Sequence, residues 1–250
     1  MKFITSLSSI VALAAASTLY SCTISAGSNG EKVTKNISLS GKVTGVCNMS
    51  PAEIKYSEGP AKITVTGSKN MIDLIKFKIE DNSIMVNMEK PDNFISFSNP
   101  DIRVEISYPG INSFLSQGSG DFQIESLSCS KCSFLSQGSG DINVTKIDTQ
   151  DVSILSQGSG DINLGTVTGK RGISVISQGS GDININKFTG NEAYLMAQGS
   201  GDIDANITVE MVNATVSGSG DIKLSGKAKK TSFSSKGSGE VEHDHLNCRN

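Results

Sequence analysis

Seven acidic residues recur at near-constant spacing: Asp121, Asp141, Asp161, Asp182, Asp202, Asp221 and Glu240, separated by 20, 20, 21, 20, 19 and 19 residues. Each directly follows a Gly-Ser-Gly tripeptide. Carboxylates in such a file could ligate divalent cations, as in the calcium-binding nonapeptide solenoids, or act in pairs as the acid and base of glycoside cleavage. The period speaks against calcium, because that turn repeats every nine residues or so. Regular placement speaks against catalysis: a working pair is singled out by its surroundings, and no Arg stands beside any of these acids. A structural duty at a repeated corner is the expected role.

Two further sets could hold a metal. His243, His245 and Cys248, in "HDHLNC", offer two nitrogens and a sulfur. His243 falls in the inward column of the last repeat, where a polar residue would cap the core, so no metal is expected. Cys129 and Cys132 form a C-x-x-C in "LSCSKCSF". A redox pair of this kind belongs at a helix start in a βαβ unit. Here it lies in a strand-rich repeat, and the expected role is structural, as thiols or as a local disulfide. No phosphate-binding glycine loop, nucleophile elbow or dinucleotide fingerprint occurs in its required setting, so neither a cofactor nor an enzyme is expected.

The elements that carry these residues follow from the repeat itself. Immediately after each acid stands Phe122, Ile142, Ile162, Ile183, Ile203, Ile222 or Val241; two places on stands Ile124, Val144, Leu164, Ile185, Ala205, Leu224 or His243. Between them lies Gln123, Asn143, Asn163, Asn184, Asp204, Lys223 or Glu242. This is strand alternation with one face inward. Four places before the first Gly, Phe114, Phe134, Ile154, Val175, Leu195, Ala214 and Phe233 supply a second inward column. Each unit therefore reads as two short strands around a Gly-Ser-Gly corner, stacked parallel and in register at about 4.8 Å per rung. The glycines are required either for unusual φ or for close approach of the neighbouring rung. Gln117, Gln137, Gln157, Gln178 and Gln198 should stack as an amide ladder.

Alternation also points one apolar column outward: Leu115, Leu135, Leu155, Ile176 and Met196, followed by Thr215 and Ser234. Such a stripe is ordinarily covered. It is expected to pack on the N-terminal strands or on an identical subunit.

Upstream of the repeat, residues 33–112 alternate without an exact period. "AEIKY" and "KITVTG" flank "SEGP", "IKFKIE" and "IMVNM" flank "DNS", and "IRVEISYP" stops at Pro109. "KNMIDLI" could form one helical turn. Residues 22–32 are small and polar, like a tether. The first 21 residues read as an export signal, with Lys2, the apolar run Ile10 to Ala16, and Leu19-Tyr20-Ser21 ahead of Cys22. That ending resembles a bacterial lipobox and marks Cys22 as the lipidated N-terminus of the mature chain. The expected organisation is thus a signal peptide over 1–21, a lipidated Cys and tether over 22–32, and one all-β domain over 33–250 with repeats at 113–245.

Composition agrees with strands and turns: 26 glycines, no Trp, three arginines, and 19% charged residues. Without the signal the chain carries 21 basic and 25 acidic side chains, so nothing draws it to nucleic acid. The sequence resembles the bacterial putative auto-transporter adhesin, head GIN domain, family over roughly Lys35 to His245. The features that carry the resemblance are "VEISYPGINSFLSQGSGDF" from Val104 to Phe122 and the repeated G-S-G-D-I-N at Gly138 to Asn143 and Gly158 to Asn163. The resemblance implies a right-handed β-helix-like all-β solenoid and attachment to the cell envelope, with adhesion implied by the name alone. It supplies no catalytic residues. The expectation is a non-enzymatic envelope lipoprotein, held on either side of the outer membrane through its lipid, that binds a glycan or protein. A polysaccharide-acting β-helix enzyme and a purely structural protein are the alternatives.

Overall fold

The computed structural model describes residues 31–89 and 101–248. The export signal, Cys22 and most of the tether lie outside the described residues. The elements in chain order are β1 (Lys32–Ile37), β2 (Gly45–Asn48), β3 (Glu53–Ser57), β4 (Lys62–Ser68), α1 (Lys69–Ile72), β5 (Ile75–Glu80), β6 (Ser83–Met88), β7 (Ile102–Ser107) and β8 (Ser113–Ser116). There follow β9 (Phe122–Ser136), β10 (Ile142–Ser156), β11 (Ile162–Ser177), β12 (Ile183–Ala197), β13 (Ile203–Val216), β14 (Ile222–Ser235) and β15 (Val241–Asn247). All fifteen strands join in one sheet, wound as a β-solenoid. The helical turn expected in "KNMIDLI" is α1.

Strands β9 to β14 stack parallel and in register, one per repeat. Two short strands per repeat were expected; each repeat instead contributes one strand of 14 to 16 residues that runs from the acid almost to the next corner. The strand bends where alternation slips. In β9 two adjacent outward residues occur at Glu125-Ser126 and again at Ser130-Lys131. These bends fold the strand around the core, so a turn closes with a single glycine corner. They also create two inward columns beyond those expected. One runs Leu127, Ile147, Val167, Phe188 and Ile207, the other Cys132, Val152, Ile173, Ala193 and Val212, all buried. Each large apolar side chain so buried contributes about 1.5–3 kcal/mol. Over three successive rungs the rings of Tyr56, Phe114, Phe122 and Phe134 form a contiguous cluster, with Phe114 stacked on Phe134 at 5.7 Å.

The N-terminal segment is more regular than its sequence. Strands β2 and β3 form a rung directly below β8 and β9, with Asn48 opposite Ser116 and Ile54 opposite Phe122. Strands β6 and β7 form the rung below that. The stacking order thus departs from chain order: the chain lays down the β2–β3 rung, drops one rung to β6 and β7, then passes over both to β8. Antiparallel strands close this end, β5 on β6, β4 on β7 and β1 on β4.

The β2–β3 corner has no glycine, and Asn48 replaces what glycine does elsewhere. Its buried amide donates to the carbonyls of Ala52 (2.9 Å) and Gly120 (3.0 Å), while its Oδ1 accepts from the Ser50 amide (3.0 Å) and hydroxyl (2.7 Å). Every polar atom of a fully buried side chain is thereby satisfied.

At the far end β15 pairs with β14 only from Ile222 to Lys227. The remainder of β14 is an open edge carrying the exposed Lys229 and Lys230, and charges of this kind discourage further strands from adding. His243 was expected to face inward as a cap. On the last described rung it is exposed, and its ring stacks on Phe233 of the other inward column with centroids 4.8 Å apart, the position of a polar cap on the end of the core.

Candidate functional site

The acids occupy one column at the corner, and their carboxylates are engaged by the backbone. Oδ1 of Asp121, Asp141, Asp161, Asp182, Asp202 and Asp221 each accepts from the amide of the acid one rung on, at 2.8–2.9 Å. The next residue reverses direction: the amide of Phe122 donates to the carbonyl of Asp141, and that of Ile142 to Asp161. The carboxylate therefore receives the one N–H left over where the ladder turns over. Glu240 is the last acid of the column, with no further rung beyond it among the described residues. Its longer side chain is the one departure from Asp, and it falls where the constraint ends.

The corner glycines serve close approach. A Cβ on Gly138 would lie 2.0 Å from the Gly118 carbonyl oxygen, and one on Gly140 would lie 2.3 Å from that of Gly120. Neither glycine has positive φ, so of the two reasons open from sequence, proximity of the rung below applies.

No group of three or more His, Cys, Asp or Glu able to hold a metal occurs among the described residues. Cys129 and Cys132 form a disulfide across the second bend of β9, with Cα atoms 6.2 Å apart. Cys47 is a buried thiol, and burial pushes its pKa up to about 12, which removes it from thiolate chemistry.

The amide ladder forms as expected. Gln117, Gln137, Gln157, Gln178 and Gln198 are linked Nε2 to Oε1 at 2.8–3.0 Å, and the Cys47 thiol lies 3.6 Å from the first. Beside it the stripe Leu115, Leu135, Leu155, Ile176 and Met196 points outward and is half-buried by its own neighbours. Of the two covers expected, the N-terminal strands do not provide one over Leu135, Leu155, Ile176 and Met196. They pair end-on beneath β8 and β9, because their own rungs continue the stack.

On the stripe's other flank runs Ser113, Ser133, Ser153, Ser174, Tyr194 and Asn213, and beyond the glutamines lie the exposed corner serines from Ser119 to Ser219. These four columns form one face. Across six rungs it bears no ionisable side chain other than the Tyr194 phenol, and Lys236 on the seventh is its first formal charge. The column that borders the face at the second bend carries Lys131, Asp151, Glu192 and Lys230, and the other sides carry Glu125, Lys146, Asp148 and Lys187, among others. A shallow open groove of about 470 Å³ follows the glutamine and serine columns between Gln137 and Ser200. Reading for motifs finds the apolar stripe but not the face; reading down each outward column for charge would have found it.

The family described as "Putative auto-transporter adhesin, head GIN domain" matches the chain over residues 49–177 and again over 166–250. A putative adhesin from Bacteroides fragilis is 25% identical, with a TM-score of 0.78 over 87% of this chain and 99% of that one. A putative adhesin from Parabacteroides distasonis (16% identical, TM-score 0.70, 89% and 99% covered) shares the fold. So does a putative lipid binding protein from the same organism (20% identical, TM-score 0.72, 88% and 99% covered). None of the curated proteins matches. With the repeat, the solenoid and both stretches of the family match in agreement, the chain belongs to the putative auto-transporter adhesin, head GIN domain, family.

Proposed function

We propose that the chain is a non-enzymatic binding module of the cell envelope, anchored through a lipid on Cys22, which meets its partner with the uncharged face. The observation that carries this is the absence of formal charge over six rungs of outward columns from Ser113 to Ser219, in a chain with 19% charged residues. Depletion of charge around an apolar centre is the compositional mark of interface cores. The family's name points the same way.

The rival reading, an enzyme acting on polysaccharide, gains from one number. Neighbouring acids in the column are about one rung apart, about 4.8 Å, close to the carboxylate separation of retaining glycosidases. Those acids stand in a file, the six aspartates each bound to the backbone of the next rung, and the groove beside the corner is lined by Gln, Gly and Ser without a titratable group. Catalysis requires convergence in a concavity.

The test is retention of envelope fractions and neutral polysaccharides on beads carrying the chain. Charging the face with Ser133→Glu, Ser153→Glu and Ser174→Glu should abolish retention, whereas Thr145→Glu with Thr168→Glu, exposed on other sides, should leave it intact. Equal retention by both variants contradicts the proposal.

A further inference from the structure

We infer that the partner of the uncharged face is a second copy of this chain, packed face to face about a two-fold axis through Leu155. This rests on the reading of that face as a binding surface.

Three properties select the occupant. The first is charge. The chain is net negative, with a formal charge of −3, so two copies repel over most approaches. Within the face no carboxylate opposes another, and at its margin Asp151 is paired with Arg171.

The second is pitch. The stripe is a row of aliphatic ridges spaced by the rung repeat, about 4.8 Å. A body with the same pitch meets these ridges rung for rung along the whole row, while any other repeat falls out of step within a few rungs. A second solenoid of this sequence has that pitch by construction. A sugar chain would find one exposed aromatic ring on the face, Tyr194, which is 38% exposed. A lipid surface would strand the flanking serine and glutamine columns without hydrogen-bond partners.

The third is extent. Five rungs at about 4.8 Å and seven residues at about 3.3 Å give about 550 Å² per copy, or about 1,100 Å² in all, above the roughly 1,000 Å² that a specific interface requires. Leu155 is third of the five apolar residues. Under a two-fold axis it meets itself, and Tyr194 and Met196 on the fifth rung meet Ser113 and Leu115 on the partner's first. The protruding Tyr194 at one end and the smaller Ser113 at the other fix one register among those a uniform ladder would allow.

The experiment is performed in cells making the full-length chain with Cys248→Ser, which removes the exposed free thiol; Cys47 is buried and Cys129 is bonded to Cys132. Leu155→Cys places a thiol in a column that already holds one at Cys47, so folding is preserved. Mild oxidation with copper–phenanthroline should join two Leu155→Cys chains by a disulfide, each thiol losing one hydrogen to the oxidant. Thr168→Cys, on another side, should give none. Adding Leu135→Ser and Ile176→Ser, residues of the kind the column carries at Ser234, should lower the joined fraction at least about tenfold.

A maleimide arm separates the failures. If the Leu155→Cys thiol does not join but is protected from maleimide, another molecule occupies the face: the self-partner is overturned and the binding reading survives. If it does not join and reacts freely, both are overturned.

Discussion

The backbone amide of Asp161 donates to the carboxylate of Asp141, one rung below, at 2.8 Å. The acceptor is a side-chain oxygen, so Asn can replace it and Ala cannot. Asp141→Asn should cost less than about 1 kcal/mol in urea unfolding, and Asp141→Ala about 1.5–3 kcal/mol, since a charge-assisted bond is lost and an amide is left unpaired. Glu240→Ala, with no described rung above it, should be nearly silent.

Close approach makes the corner glycines intolerant. A Cβ on Gly158 would stand 2.1 Å from the carbonyl oxygen of Gly138. Gly158→Ala should cost about 4 kcal/mol or prevent folding. Gly110, with φ of +75° and open space around it, provides the contrast: Gly110→Ala should cost about 1 kcal/mol, from backbone conformation alone.

Beneath the corner lies a column of buried serines, Ser116, Ser136, Ser156 and Ser177, which Ala197 and Val216 continue. The hydroxyls of Ser136, Ser156 and Ser177 have no hydrogen-bond partner. Ser156→Ala should therefore be neutral or stabilise by up to about 1 kcal/mol. Asn48, next below Ser116 in the same column, should behave oppositely. Asn48→Ala removes four hydrogen bonds from a buried corner and should cost about 3 kcal/mol.

The repeat's period, the acid-following columns, the glutamine ladder and the outward stripe were legible because each is one residue type at one spacing. The bends of β9 were not, since Glu125-Ser126 and Ser130-Lys131 are ordinary residues that mark a corner only by breaking alternation. The β2–β3 rung was hidden twice over. Asn48 to Ile54 spans the same six-residue step as Ser116 to Phe122, yet its corner is held by an asparagine network in place of glycines, and it stacks out of chain order. Alternation gave His243 its direction, towards Phe233 across the end of the core, but not its exposure, since burial needs a further rung.

Alkaline stability follows from two buried groups. Burial pushes Cys47 from 9.0 up to about 12, and burial first, then Glu58, pushes Tyr56 from 10.0 up to about 12. Above pH 9–10 the unfolded chain sheds these protons while the folded chain retains them. Stability is therefore complete below that range and falls as pH rises towards 12, by about 1.4 kcal/mol per pH unit for each group. Cys47→Ala should remove the part of the decline that begins near pH 9, read as the unfolding midpoint against pH.

The uncharged face, as the proposed binding surface, should be engaged in the cell. Hydroxyl-radical footprinting reads it without knowledge of the partner, because Tyr194 and Met196 lie on that face and the exposed His245 lies on another side, in register with Ser225 beyond the acid corner. Tyr194 and Met196 should oxidise several-fold more slowly in intact envelopes than in the dilute purified chain, with His245 unchanged. Equal oxidation of Met196 in both would contradict that engagement.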